Sequence, residues 1–177
     1  SCWDRGPALG LRRQATLHPL KYLKGLARAI LRDGGKIYSG VHAEKIVDGE
    51  PARVTTSEGH VISADNVVVC TNTPVNDWLI IHSKQSAYRT YVLGARVPRG
   101  SVPHGLYWDT LDPYHYIRLQ QAEDSSGNEL DYEILIVGGE DHKTGQADDM
   151  AERFTRLEKW TRERFPMVER IEYQWSG

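Results

Sequence analysis

The sequence predicts an α+β fold, a mixed α/β chain in which an antiparallel sheet is covered by helices. Three observations carry this prediction. Two stretches show the apolar period of an amphipathic helix, several short runs alternate with the two-residue period of strands, and turn dipeptides separate those runs. The predicted order is helix, strand, meander, buried strand, antiparallel sheet, helix, strand. This order is not a succession of βαβ units.

The first predicted helix covers residues 19–33. Proline suits the first helical position, and Gly34-Gly35 ends the helix. The residues directly after it, 36–38, predict a short strand. The apolar face consists of Leu20, Leu23, Leu26, Ala27, Ile30 and Leu31.

The remaining elements are mostly strands. Alternating runs between residues 41 and 63, separated by Asp-Gly and Glu-Gly turns, predict an antiparallel meander. Residues 66–70 are apolar without alternation, which predicts a strand buried on both faces and a buried thiol at Cys70. A helix is predicted for residues 147–165. Further strands are predicted at residues 88–97, 105–110, 114–121, 132–137 and 171–175.

Composition bounds the class of protein. The 177 residues suit one domain or two small interlocked domains, and 40% hydrophobic with 26% charged residues is typical of a soluble globular protein. A net charge of −2 with scattered basic residues argues against a nucleic-acid partner. No run approaches the roughly 20 apolar residues of a membrane span and no signal peptide opens the chain, so a cytoplasmic location is expected. Both ends read as cut points of a longer chain.

Sequence motifs fix no chemistry by themselves. There is no GxGxxG opening a helix, no P-loop, no GxSxG elbow and no HExxH. The two cysteines are far apart and form no CxxC, so a cysteine metal site is not predicted. A metal-dependent hydrolase is a weak alternative, because no spacing among the polar residues near strand ends is diagnostic. Those residues are His104, Asp109, His115, Asp141 and His142.

The strand at residues 114–121 offers a candidate binding face. Alternation puts Tyr116 and Arg118 on one face, and Ile117 and Leu119 on the other. The second helix needs apolar cover, so the Ile117 side should pack beneath it. Arg118 then faces a cavity or solvent, where its planar fork suits a carboxylate. We take Arg118, Tyr116 and Tyr107 as candidate substrate-binding residues, with an ordinary exposed sheet face as the alternative.

His18 directly precedes the first helix and has two interpretations. As an N-cap it is a ring at a turn. As a functional residue it would use the helix N-terminus, which favours anions and a neutral imidazole. We keep His18 as a candidate substrate-binding residue, although the cap is the simpler interpretation.

Several passages follow one another in the order of a known family. They are the helix with its double glycine, residues 66–72 (NVVVCTN), residues 134–139 (ILIVGG) and residues 172–177 (EYQWSG). Together they resemble the D-amino-acid oxidase-like family of FAD-dependent oxidoreductases, which includes glycine and sarcosine oxidases. The branch that also carries a Rieske iron–sulfur domain looks closest.

The resemblance implies that FAD is the cofactor of the intact enzyme. Residues 1–80 would be a partial FAD-binding domain and residues 81–177 the substrate-binding domain. The family's glycine-rich loop would lie before Ser1, so FAD is expected to be absent from this chain alone. Ala43 and the loop Cys70-Thr71-Asn72 would face the adenine side, with Asn72 where the family usually has glycine.

The activity implied by the resemblance is oxidation of an amine or amino acid by hydride transfer to flavin. The fragment alone is expected to be inactive. It is also expected to self-associate through bare sheet edges at residues 66–70 and 171–175. The alternative is a non-enzymatic α+β domain that binds a ligand or partner through its sheet face.

Overall fold

The computed structural model describes residues 9–11, 13–72, 75 and 84–177. The chain forms two compact units, one made by Gln14–Gln85 and the other mainly by Ser86–Gly177. The boundary predicted between residues 80 and 81 lies outside the described residues. An FAD-binding role for the first unit and a substrate-binding role for the second stay predictions.

Helix α1 spans Pro19–Arg32, close to the predicted bounds. His18 is its N-cap, and the His18 Nδ1 accepts a hydrogen bond from the Lys21 N–H at 3.3 Å, which satisfies one of the free donors of the first turn. Gly34 adopts a φ of 86°, a left-handed conformation that favours glycine after a helix. None of the α1 residues is buried against the rest of the described chain.

The meander is confirmed. Strands β1 (Ala43–Val47), β2 (Ala52–Thr56) and β3 (Val61–Ala64) form an antiparallel sheet in the order β1-β2-β3. Gly59 has a φ of 84° in the second turn, which explains the glycine there.

Two predicted strands of this unit are wrong. Residues 36–38 and 66–70 have no strand assignment, and none of the described strands pairs with them. Val68 is 82% exposed and the free thiol of Cys70 is also exposed, contrary to the predicted buried strand. An apolar run supplies side chains for a core but no partner for its backbone N–H and C=O groups. A strand exists only where another strand takes those bonds.

The second unit is a five-stranded sheet with a helix on one face. Its strand order is β5-β6-β7-β4-β8, and every neighbouring pair is antiparallel. Neither helix of the described residues has the length and apolar composition of a membrane span. The elements are β4 (Tyr88–Pro98), β5 (Leu106–Trp108), β6 (Tyr116–Glu123), β7 (Glu129–Lys143), α2 (Met150–Arg164) and β8 (Arg170–Ser176).

The core lies between the sheet and α2. Leu157 of α2 is fully buried and belongs to one cluster with Ile117 and Leu119 of β6, as the alternation of β6 predicts. Burial of one such leucine contributes about 1.5–3 kcal/mol. The other buried members of the cluster are Tyr91, Leu93, Ala95, Val97, Val102, Leu135, Val137, Phe165 and Val168.

A polar network fixes the start of α2 against the end of β7. The Arg153 guanidinium donates to the Glu140 carbonyl at 2.7 Å, and the Arg156 guanidinium donates to the Glu140 carboxylate at 2.8 Å. Asp149 accepts from Arg153 at 2.7 Å, and this hydrogen bond is the main cause of a lowered Asp149 pKa. Glu140 itself has a φ of 58°, an uncommon conformation for a residue other than glycine. These contacts hold α2 over the sheet.

Self-association through an unpaired strand stays a prediction, now for β8 alone. This strand lies at one edge of the five-stranded sheet, and its Tyr173 and Trp175 are 58% and 45% exposed. We expect the chain to form dimers or larger species as its concentration rises, because unpaired edges recruit other strands. Light scattering measures this, and Trp175→Lys should reduce it. A constant monomer mass at high concentration would contradict the prediction.

Candidate functional site

The candidate site lies on the sheet face opposite α2, which we call the Arg118 face. In the β6 register Leu106 of β5 stands opposite Arg118 on one side, and Ile136 of β7 on the other. Directly paired residues of antiparallel strands share a face. The Arg118 face therefore carries Leu106, Trp108, Tyr116, Arg118, Gln120, Ile134, Ile136 and Gly138.

Arg118 is half-buried and has no hydrogen bond or ion pair with any residue that the structure describes. Arg96, on the same face, differs. Its Nε lies 2.9 Å from a Glu169 carboxylate oxygen, an ion-pair distance without hydrogen-bond alignment, and its guanidinium lies 3.9 Å from the Tyr132 ring centroid. The N–H donors of the Arg118 guanidinium are therefore available to a ligand. The apolar side chains opposite it, Leu106 and Ile136, would strengthen a charge-assisted hydrogen bond to that ligand.

Tyr116 occupies space that Gly138 leaves open. Its ring lies directly over Gly138, so that a Cβ at position 138 would overlap the ring, and its hydroxyl lies 3.4 Å from the Thr90 hydroxyl. The Tyr114 ring is the next along this side, with its centroid 6.3 Å from that of Tyr116. The absence of a Cβ at Gly138 therefore allows the position in which the Tyr116 hydroxyl lies near Thr90.

The next glycine does the same on the other face. Gly139 accommodates the His115 ring, since a Cβ at position 139 would lie 2.6 Å from the His115 Cδ2. His115 is 4% exposed, stacks on Trp160 at 4.0 Å, and lies with its Nδ1 2.8 Å from an Asp109 carboxylate oxygen. The double glycine thus lets the side chains of Tyr116, in β6, and of His115, directly before it, lie on opposite faces of β7.

The placement of Tyr107 beside Arg118 is wrong. Tyr107 pairs with Ile117, which puts it on the α2 side, where it packs against the core. Its hydroxyl donates to the Pro103 carbonyl, and burial raises the pKa of Tyr107. The register between β5 and β6 decides on which face Tyr107 lies, because a shift of one residue moves a side chain to the other face of a sheet. Leu106 and Trp108 occupy the Arg118 face instead.

His18 and the predicted FAD-binding residues lie in the first unit. His18 serves as the cap of α1. Ala43 opens β1 opposite Thr56, and Cys70, Thr71 and Asn72 form an exposed irregular segment outside the sheet.

The described residues do not form a site for the pyrophosphate of FAD. No glycine-rich turn opens either described helix, and the N-terminus of α1 is capped by its own histidine. Ala43, Cys70, Thr71 and Asn72 are exposed, and their place on the adenine side of FAD stays a prediction.

Of the histidines near strand ends, His104 and His115 pair with carboxylates, whereas His142 stacks on Tyr91 and its buried Nδ1 has no hydrogen-bond partner among the described residues. The His104 Nε2 lies 2.7 Å from a Glu133 carboxylate oxygen, and the Gly100 N–H donates to the other oxygen at 3.0 Å. Glu133 is 1% exposed, so these two contacts offset the cost of burying a carboxylate. Among the described residues no three of the types His, Cys, Asp or Glu converge on a common point.

Comparison with known proteins identifies the family of this chain. The family model described as FAD dependent oxidoreductase (DAO) matches residues 5–177. The chain belongs to this family of FAD-dependent oxidoreductases. The predicted resemblance is confirmed, and so is the α+β fold class.

Two individual proteins illustrate the likeness. The chain is 31% identical over 170 residues to YhfW of Bacillus subtilis (strain 168), which carries the name of a Rieske 2Fe-2S iron–sulfur protein, in agreement with the predicted branch. The match covers 96% of this chain and 32% of YhfW, so the chain spans about a third of that relative. The solved structure of the peptidyl tryptophan dihydroxylase QhpG matches with a TM-score of 0.50 at 10% identity, over 89% of this chain and 36% of QhpG. That likeness concerns the fold alone.

Sequence reasoning missed Trp108 and Gly138 of the Arg118 face and the Thr90 hydroxyl beside Tyr116. Trp108 and Thr90 escaped it because their positions depend on the β5 and β4 registers. Gly138 had a readable signal: adjacent glycines inside an apolar run mark a place where other groups approach the backbone closely. Gly138 and Gly139 lie within β7, which continues to Lys143.

Proposed function

We propose that the chain is the substrate-binding part of an FAD-dependent oxidoreductase that oxidises an amine or amino acid, with Arg118 holding the substrate's carboxylate. The observation that carries the proposal is the half-buried guanidinium with no partner among the described residues, on the sheet face away from α2. A bidentate Arg–carboxylate pair fixes both the position and the orientation of a substrate.

Tyr116 is the second group of the proposed site. Its hydroxyl is both a donor and an acceptor, and it is held toward Thr90 by the ring's position over Gly138. Tyr116 lies two residues from Arg118 on the same face, so the hydroxyl can orient the substrate that the guanidinium binds. His18 is kept only as a proposal for the whole protein, because its ring nitrogen already caps α1.

When bound in the whole enzyme, FAD supplies the acceptor for the hydride that leaves the amine-bearing carbon. We propose that Ala43, Cys70, Thr71 and Asn72 lie on its adenine side. Since the described residues do not fit the pyrophosphate, this chain by itself is expected to purify without one FAD per chain.

The proposal is tested with the whole protein, of which this chain is a part, loaded with FAD. Anaerobic addition of an amino acid or other amine carboxylate should bleach the visible flavin absorbance, whereas the matching carboxylic acid without the amine should not. A whole protein that binds no FAD would contradict the cofactor. A flavoprotein that no amine reduces would contradict the substrate class, and would favour a binding domain without amine chemistry.

A further inference from the structure

Trp108 is an unusual feature of the Arg118 face. It pairs with Tyr116 in the register of β5 and β6, yet it is 63% exposed and makes no ring contact within the described part of the chain. Aromatic side chains ordinarily contribute through large buried areas and through paired rings. An exposed tryptophan beside an unpaired arginine is therefore available to a ligand.

The glycine beneath Tyr116 lets the Tyr116 ring lean away from Trp108. The Tyr116 ring lies over Gly138, on the β7 side of β6, while Trp108 stands on β5, the strand on the other side. Cβ atoms of directly paired residues lie about 4.5–5.5 Å apart, so two rings that faced each other there would touch. Because Tyr116 leans away, the position above β6 beside Trp108 is not filled by its ring.

Arg118 lies next to the position that the Tyr116 ring leaves unfilled. It follows Tyr116 on the same face at a distance of about 7 Å along the strand. Leu106, opposite Arg118, adds an apolar side chain, and Tyr114, 45% exposed, adds a further ring near Tyr116. The surface thus combines one unpaired cation with aromatic and aliphatic walls.

We infer that the ligand of this face is an amino acid with an aromatic side chain, whose carboxylate binds Arg118 and whose ring packs on Trp108. The inference rests on the proposed function and specifies its substrate class. Charge complementarity calls for one carboxylate, and the flat indole calls for a ring, since aromatic pairs favour offset or edge-to-face contact. The amine between these two groups is the part that the proposed oxidation requires.

The test compares ligands that cannot be oxidised. Calorimetry on the FAD-loaded whole protein measures the Kd of 3-phenylpropanoate and of propanoate, which share the carboxylate and differ in the ring. We expect 3-phenylpropanoate to bind at least tenfold more tightly, and Trp108→Ala to remove most of that difference, about a tenfold loss that leaves propanoate within about twofold. Steady-state kinetics with phenylalanine and alanine should show the same loss of preference.

Trp175→Ala is the matched control. Trp175 is an exposed tryptophan of β8, three strand spacings or about 14 Å from β6, and its removal should leave both Kd values unchanged. Equal affinity for the two acids, or a preference that survives Trp108→Ala, would overturn the aromatic inference and leave the Arg118 proposal standing. If neither acid binds, or if both bind Arg118→Ala as well as wild type, the proposed function itself fails.

Discussion

Replacing Arg118 by alanine should raise the KM for an amine substrate with a carboxylate by about 30-fold or more. Loss of one partner of a desolvated charge pair costs roughly 2–5 kcal/mol, and we use the low end because Arg118 is half-buried. The FAD content should stay unchanged, since the guanidinium makes no hydrogen bond or ion pair with the described residues and its loss leaves no buried partner unpaired. Steady-state kinetics and flavin absorbance measure both quantities.

Two comparisons separate binding from a general defect. Arg99→Ala removes an exposed arginine that pairs with Glu129 in a turn, and it should leave KM within about twofold, as surface pairs contribute little. An amine analogue without a carboxylate should show nearly the same KM with Arg118→Ala as with wild type. A normal KM for the carboxylate substrate in Arg118→Ala would show that the carboxylate binds elsewhere.

Gly138→Ala should destabilise the second unit by roughly 1–3 kcal/mol, the usual cost of overpacking, and should displace Tyr116. The new methyl group would overlap the far end of the Tyr116 ring, so the ring must swing away and its hydroxyl must leave Thr90. Urea unfolding measures the change in stability. In the whole enzyme, substrate affinity should fall with it.

The cause can be isolated with a second substitution. Tyr116→Ala removes the ring, so the double variant Gly138→Ala/Tyr116→Ala should be no less stable than Tyr116→Ala alone. Such a coupling is expected only for residues in contact. Gly139→Ala should not be rescued in this way, because its Cβ meets His115 on the other face. Gly25→Ala is the matched control, since its Cβ would meet nothing within 4 Å, and helix propensity favours alanine. If Gly138→Ala unfolds like wild type, Tyr116 does not lie as described.

Local rules predicted the elements that have a strong period or a definite end. Helix α1 follows from its apolar spacing and its proline and glycine borders, and the β1–β3 meander from its turns. The same rules failed for residues 66–70, where composition suggested a strand but no described strand pairs with it. The length of β7 was also underestimated, because a double glycine looked like an end although it lies inside the strand.

The same distinction between local rules and tertiary contacts applies to the candidate site. Alternation within β6 determined from the sequence that Arg118 and Tyr116 share one face and that Ile117 and Leu119 share the other, because the side-chain period of a strand is a local property. Only the tertiary structure decided that Tyr107 lies with the core and Trp108 beside Tyr116, because the register between β5 and β6 is set by contacts between strands. Likewise, only strand pairing explains why residue 138 is glycine: the ring that excludes a Cβ there belongs to a different strand.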